Sequence, residues 1–476
     1  MTTPAAILTL SPEQHAAVHH PLGRPAVVDA GAGTGKTFTI VERVAMLHES
    51  GLLSADKILL LTFARKAAAE LRGRIAQRLH GVRPHCSTFH AFAWKVLSER
   101  AYDIGLSPEA DVIEDVDARV IFRNVFREYL QRPNAPQCGF PLRPYNQEEV
   151  LAGLFGISQD LKQQGISIAE FRQRALAAAD QFARIPFRVI RKPYKTKRPA
   201  KELARISDSD LARELAEEKA RVETAASIFS LFEQHLAERK LLTYADILHR
   251  AETAINANPD LQRELVERYP YCIVDEYQDT DLAQHRLLVA IYGSDLSRVM
   301  VVGDVLQSIY AFRGANPENI DLIKATPGAV AYPLVKNRRS LQEILDLAHA
   351  TITRAHENAA RLSGERGSAN QQIIEVSSLW TGEQGEHLPA DEARIVEAAA
   401  VLRQLAEILD GKHMRENRDG TRTPLTAKDV AILSRTKMNV QPVTEALLSA
   451  GIPFRLVGGV GFYDAPEVRD ALAWVR

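Results

Sequence analysis

One stretch limits what this chain can fold into more than any other, Val27-Val28-Asp29-Ala30-Gly31-Ala32-Gly33-Thr34-Gly35-Lys36-Thr37. The apolar run that opens it reads as a buried strand ending at Ala30, and Ile40, Val41, Val44 and Leu47 then recur at helical spacing. Strand, glycine-rich loop and helix in that order make a cradle for phosphate. Glycines let successive backbone N–H groups curl around phosphate oxygens, the helix N-terminus faces the anion, Lys36 reaches the β- and γ-phosphates, and the Thr37 hydroxyl binds Mg²⁺. Ala30 stands where the usual pattern has its first glycine, a mild departure. Ala30, Gly31, Ala32, Gly33, Thr34, Gly35, Lys36 and Thr37 are therefore expected to bind a nucleoside triphosphate, with Thr37 on the metal.

At 476 residues, the chain is long enough for three domains or one multi-lobed unit, at about 150 residues per domain. Hydrophobic residues at 46% and charged residues at 25% match ordinary globular usage, which argues against both disorder and a membrane class. No run of eighteen apolar residues and no basic-then-apolar leader is present, so a cytoplasmic protein is expected. Cys86, Cys138 and Cys272 show no paired or metal-ligand spacing, in keeping with a reducing compartment. With 59 basic against 60 acidic residues the net charge is −1, so a polyanion must be held by local patches.

Ser11 and Pro12 suit the N-cap and first position of a helix, which puts Gln14 in its first turn, as a reader of an adenine edge or as a plain helix residue. Lys57 to Leu61 reads as a second buried strand, delivering Thr62-Phe63-Ala64-Arg65-Lys66 at its end. Leu71, Ile75 and Leu79 make an apolar stripe, so Arg65, Lys66, Arg72, Arg74 and Arg78 fall mainly on other faces, solvated or turned to phosphate. Ser87-Thr88-Phe89-His90 marks another strand end. From about 105 to 225 the α/β alternation gives way to Ala- and Glu-rich helical segments, an insertion. Within it Arg191 to Lys201 carries six cations, no anion and two prolines, which suits a phosphate backbone or an exposed flexible loop.

The alternation then resumes. Tyr271 to Val274 ends in Asp275 and Glu276, adjacent carboxylates that need a cation or a water to balance them: Asp275 near Mg²⁺, Glu276 to deprotonate the water attacking the γ-phosphate. Val299 to Val302 leads into Gly303-Asp304-Val305-Leu306-Gln307, where Gln307 can bond the γ-phosphate, and on to Tyr310 and Phe312, faces for stacking bases.

GAGTGKT, LTFARKAAAELR, STFHAF, IVDEYQDT and GDVLQSIYAFRGA, in that order, resemble the motifs of the UvrD/Rep family of superfamily 1 DNA helicases, and LVKNRRS, AILSRT and LVGGVGFYDAPEVRDAL resemble parts of its second motor domain. The resemblance implies an α/β fold: a RecA-like P-loop NTPase domain with a parallel sheet at 1–104 and 226–331, a mostly helical DNA-binding insertion at 105–225, and a partial second RecA-like lobe at 332–476. It implies ATP-driven 3′-to-5′ movement on single-stranded and junction DNA, with Lys36, Glu276, Gln307 and an arginine finger at Arg339 as the catalytic set, Thr37 and Asp275 on Mg²⁺, and Gln14 on adenine. On the DNA side it points to Phe63, His90, Tyr310 and Phe312; Arg65, Lys192, Lys195, Lys197 and Arg198 are the cations expected on the phosphate backbone.

Two departures stand out. The arginine and tyrosine that sandwich adenine in the family are Phe38 and Arg338 here, so aromatic and cation have exchanged sides and a cation–π sandwich is still expected. The chain also stops at Arg476, where the family runs on to a second inserted domain and a final arginine finger, a group worth about 10³ or more in rate. A fragment of a longer helicase with weak turnover is expected, or a chain completed by further subunits. The motor part of a helicase–nuclease subunit and an ATP-gated DNA-binding module that never unwinds are the alternatives.

Overall fold

The computed structural model describes residues 9–132, 140, 147–182, 187–191, 201–205, 207–369, 389–416 and 421–457. Lys192, Lys195, Lys197 and Arg198, Cys138 and the segment from 458 onward lie outside the described residues.

The chain opens with α1 (Pro12–Val18), β1 (Ala26–Ala30), α2 (Lys36–Glu49), β2 (Ile58–Thr62), α3 (Arg65–Arg78), β3 (His85–Thr88) and α4 (Phe89–Glu99). β4 (Asp111–Ile113), α5 (Asp115–Gln131), α6 (Gln147–Gln164), α7 (Ile168–Phe182), the antiparallel pair β5 (Phe187–Arg191) and β6 (Lys201–Arg205), and α8 (Asp208–Glu238) follow. The alternation returns with β7 (Leu241–Thr243), α9 (Tyr244–Ala257), α10 (Pro259–Arg268), β8 (Tyr271–Val274), α11 (Leu282–Tyr292), β9 (Val299–Gly303), α12 (Asn319–Lys324) and β10 (Val330–Leu334). β11 (Lys336–Asn337), α13 (Gln342–Ile352) and β12 (Ser363–Gly364) complete the larger unit.

Six strands run parallel in the order β10-β1-β9-β8-β2-β3. Such strands are covered on both faces, which is why β2, β8 and β9 are continuous apolar runs, buried along their whole length. Alternate side chains feed two cores: Ile58 and Leu60 meet Val44, Leu71 and Ile75 on one face, while Leu59 and Leu61 meet Phe89, Ile247 and Leu287 on the other. The expected apolar stripes of α2 and α3 are the buried ones.

The insertion has a core of its own, built on Phe122, Phe126, Phe155, Phe229 and Phe232, with the Phe122 and Phe232 rings edge to face at 5.1 Å. Its C-terminal edge differs from the expected one. The boundary at 225 falls inside α8, whose later residues Ile228, Phe229, Phe232 and Leu236 belong to the insertion core, so the first lobe resumes only at β7. A composition shift marked the wrong place because the helix carries the apolar stripe past it. β4 and β7 pair in parallel where the chain enters and leaves the insertion.

The chain divides into two compact units, Met1–Ile373 and Ile374–Arg476. β11, α13 and β12, which follow the expected division near 331, are knit to the larger unit, with Leu362 packed against Gly31 and the Arg338 N–H donating to the Gly33 carbonyl. Among its described residues the second unit has α14 (Ala390–Ile408), the antiparallel pair β13 (Met414–Glu416) and β14 (Arg422–Pro424), and α15 (Lys437–Ser449) packed on α14. Among the described residues no helix is long and apolar enough to cross a membrane.

Phe122→Ala is expected to destabilise the insertion by about 3–5 kcal/mol through lost burial and a cavity. Hydrogen exchange checks this: protection should fall in α5 and α8 and persist in β2 and β8.

Candidate functional site

The site lies at the C-terminal ends of β1, β2, β8 and β9, where a parallel sheet presents its loops to ligands. The loop after β1 is braced from within, the Thr34 hydroxyl donating to the Gly31 carbonyl at 2.8 Å and the Thr39 N–H to the Gly35 carbonyl at 2.9 Å. Gly35 has a φ of 89°, in the left-handed region that favours glycine. No side chain caps α2 and no acidic residue sits in its first turn, so its leading N–H groups and dipole are directed to an anion. Lys36 and the half-buried Thr37 begin that helix.

Lys36 reaches across the sheet to Glu276, Nζ to Oε2 at 2.8 Å, and the Gln278 amide donates to the same oxygen at 2.9 Å. Glu276 holds a left-handed backbone at φ 50° and ψ 47°, a conformation that costs a non-glycine residue about 1–2 kcal/mol and turns its carboxylate out at the strand end. Asp275 is buried, and burial, followed by the neighbouring Glu276 charge, pushes its carboxyl up to about 6. Asp279 is raised to about 6 by the same two causes, and its Oδ1 has no hydrogen-bond partner. Gln278 passes the contact onward: its Oε1 accepts from the Asp304 N–H at 2.9 Å, and Asp304 Oδ2 accepts from Gln307 at 2.6 Å.

Arg339 sits over the loop, its Cβ 2.8 Å from where a Cβ on Gly33 would lie. The Arg338 guanidinium stands 6.0 Å from the Phe38 ring centroid, so the two residues expected around adenine do face each other. A stacked base needs about 7 Å between them, two contacts of about 3.5 Å, so Arg338 must yield. It is held by Glu365 at 3.1 Å and the Thr9 carbonyl at 2.8 Å. Gln14, only 2% exposed, accepts from the Ser11 N–H at 3.0 Å in a capping box and donates to the Thr34 carbonyl at 2.9 Å, so that in this structure the amide expected on adenine braces the phosphate loop.

Beyond Gln307 the aromatic residues gather. Phe63 stacks on Tyr310 with centroids 5.2 Å apart, Tyr310 lies 6.0 Å from Phe312, and Phe312 is 79% exposed. His90 stacks on Tyr244 at 4.0 Å. Arg65 and Lys66 are exposed at the start of α3, whereas Arg72 donates to the Cys86 carbonyl, Arg74 pairs with Glu70 and Arg78 with Glu42 and Glu49, which spends those three cations within the fold. Sequence reasoning missed Tyr244, Gln278 and Asn337. Each stands beside an assigned residue or at a strand end, in LLTYAD, DEYQDT and KNRRS, and that position was the available signal.

The family model described as UvrD/REP helicase N-terminal domain matches residues 10–327, and that described as UvrD-like helicase C-terminal domain matches residues 332–476. Residues 332–476, expected as a partial second RecA-like lobe, are thus matched by a C-terminal domain of the family. Similar proteins include the ATP-dependent DNA helicase UvrD1 of Mycobacterium tuberculosis, 30% identical over 98% of this chain and 52% of that protein. The ATP-dependent DNA helicases PcrA of Leuconostoc citreum and Staphylococcus aureus are each 27% identical, over 95% and 98% of this chain and 50% and 53% of their own length. The chain thus spans about half the length of these curated relatives.

Burial pushes the His90 imidazole from 6.5 down to about 4. Between those values the unfolded chain binds a proton that the folded chain does not, so this contribution to stability is complete above about 6.5 and is lost as the pH falls toward 4. His90→Gln is expected to flatten the fall of urea midpoints across that window, leaving the part due to the other histidines that burial lowers, His20, His85 and His285.

Proposed function

The chain belongs to the UvrD/Rep helicase family, and on that premise we propose that it hydrolyses ATP to move 3′-to-5′ along single-stranded DNA and to open the duplex at a junction ahead of it. One observation carries the reading: hydrogen bonds run from Lys36 through Glu276, Gln278 and Asp304 to Gln307, and Tyr310 follows three residues later. A phosphate cradle and a stacking surface are joined by one run of hydrogen bonds.

Lys36 and Glu276 neutralise each other in this structure. A triphosphate on the loop competes for the lysine, and the released carboxylate can take a proton from a water aligned on the γ-phosphorus. Asp275 and the Thr37 hydroxyl would hold Mg²⁺, which supplies charge neutralisation to the phosphates. The donor set fits, since a buried carboxylate raised by burial and by a neighbouring anion is relieved by a cation. Arg339 adds positive charge at the γ-phosphate, Gln307 reports its presence, and Phe38 with Arg338 takes the adenine ring.

Phe63, Tyr310 and Phe312, with His90 and Tyr244 beside them, offer faces to unpaired bases, and Arg65 offers charge to the backbone. Lys192, Lys195, Lys197 and Arg198 are proposed as further backbone contacts. Loss of the γ-phosphate changes the bonds of Gln307 and so the position of the residues just after it, and motion follows from the different affinities of the two states for DNA. Such a motor works in the cytoplasm, alone or with further subunits.

Strand displacement with and without ATP tests the reading, and displacement independent of ATP would refute it. Glu276→Gln should keep ATP binding and abolish phosphate release. Tyr310→Ala should weaken single-strand binding by about 1–3 kcal/mol, read by fluorescence anisotropy. Phe38→Ala should weaken ATP binding.

A further inference from the structure

After β10 the chain reads Val335-Lys336-Asn337-Arg338-Arg339-Ser340, with Asn337 set among three long cations. An asparagine carries an acceptor and two donors on a small group and readily holds the backbone two and three residues on. Asn337 is 1% exposed, so each of these bonds must be met inside the protein. Its Oδ1 accepts the Arg339 N–H at 2.8 Å and the Ser340 N–H at 2.7 Å, and its Nδ2 donates to the Ala32 carbonyl. The oxygen faces two donors and the nitrogen faces an acceptor, which fixes the orientation of the amide.

The next residue repeats the contact, the Arg338 N–H donating to the Gly33 carbonyl at 2.9 Å. Gly33 leaves no gap. A Cβ there would lie 2.6 Å from Asn337 Nδ2 and 2.8 Å from Arg339 Cβ, and its φ of 70° already favours glycine.

We propose that Asn337 is a positioning residue, which fixes the backbone of the arginine finger Arg339 to the phosphate loop through a single buried amide. The inference rests on the ATPase reading above and deepens it. When the Ala32–Gly33 turn closes on a triphosphate, the carbonyl held by Nδ2 moves and Oδ1 carries the finger with it. Finger placement and loop closure become one event, so the finger is aligned only around a seated phosphate. Arg339 acts in the transition state, so loosening it lowers kcat and leaves ATP binding nearly unchanged.

The test compares N337A, N337D, R339A and the N337A/R339A double variant in the full chain, by DNA-stimulated phosphate release and binding of a fluorescent ATP analogue, with thermal midpoints as the folding control. N337A is expected to lower kcat about tenfold or more with KM for ATP within about threefold. N337D keeps the acceptor for Arg339 and Ser340 but cannot donate to Ala32, so it should slow turnover likewise, and it carries the test if N337A folds poorly. The double variant should be no slower than R339A, because Asn337 acts through Arg339. Turnover of N337A and N337D within about twofold of wild type, or a double variant that loses the product of the two single losses, overturns the inference alone. A wild-type chain that binds no nucleotide and releases no phosphate overturns the ATPase reading, and this inference with it.

Discussion

The Lys36–Glu276 ion pair, 2.8 Å long and set at the end of a buried parallel sheet, is the interaction on which the rest of the site depends. The largely buried Lys36 ammonium is costly unless paired, and here lysine and carboxylate follow strands that lie apart in sequence and two places apart in the sheet. The left-handed backbone of Glu276 is what lets it meet Lys36 while Asp275 points into the protein. The pairing costs local strain and leaves both residues committed to each other. On the proposed reading, a phosphate that takes the lysine would free the carboxylate to act as a base.

From that pair the structure builds outward with few atoms. Gln278 touches Glu276 with its nitrogen and the Asp304 backbone with its oxygen, and it does so because Gly303 has no Cβ, which would stand 2.6 Å from that oxygen. Asp304 holds Gln307, and the aromatic cluster follows within five residues. On the other side of the phosphate loop, Asn337 and Arg338 fasten the arginine segment to two successive loop carbonyls. The loop is thus gripped from both flanks by groups that have other work to do.

The insertion is tied in beside the aromatic surface. Lys162 of α6, largely buried, meets Glu233 of α8 at 2.7 Å and Asp246 of α9 at 3.0 Å, and Asp246 also caps α9 with Thr243. Tyr244, first residue of α9, is the one that stacks on His90. A helical unit with its own aromatic core is therefore anchored at the very turn that supplies a stacking face.

By itself the sequence determined the parallel α/β frame, the phosphate loop, the carboxylate pair and the aromatic residues after Gln307, because strand burial, loop glycines and local spacing are written in neighbouring residues. It also made the α3 cations ambiguous, and the fold divides them: Arg72, Arg74 and Arg78 each hold a partner within the chain, while Arg65 and Lys66 stand exposed at the start of α3. Only tertiary structure decided that Gln14 braces the loop, that α8 carries the insertion past Ala225, that Tyr244 joins His90, and that Asn337 links Ala32 to Arg339. Each of these is a contact between segments far apart in the chain or a bond made by one small polar group, and no periodicity in the sequence records where such a group will find its partner.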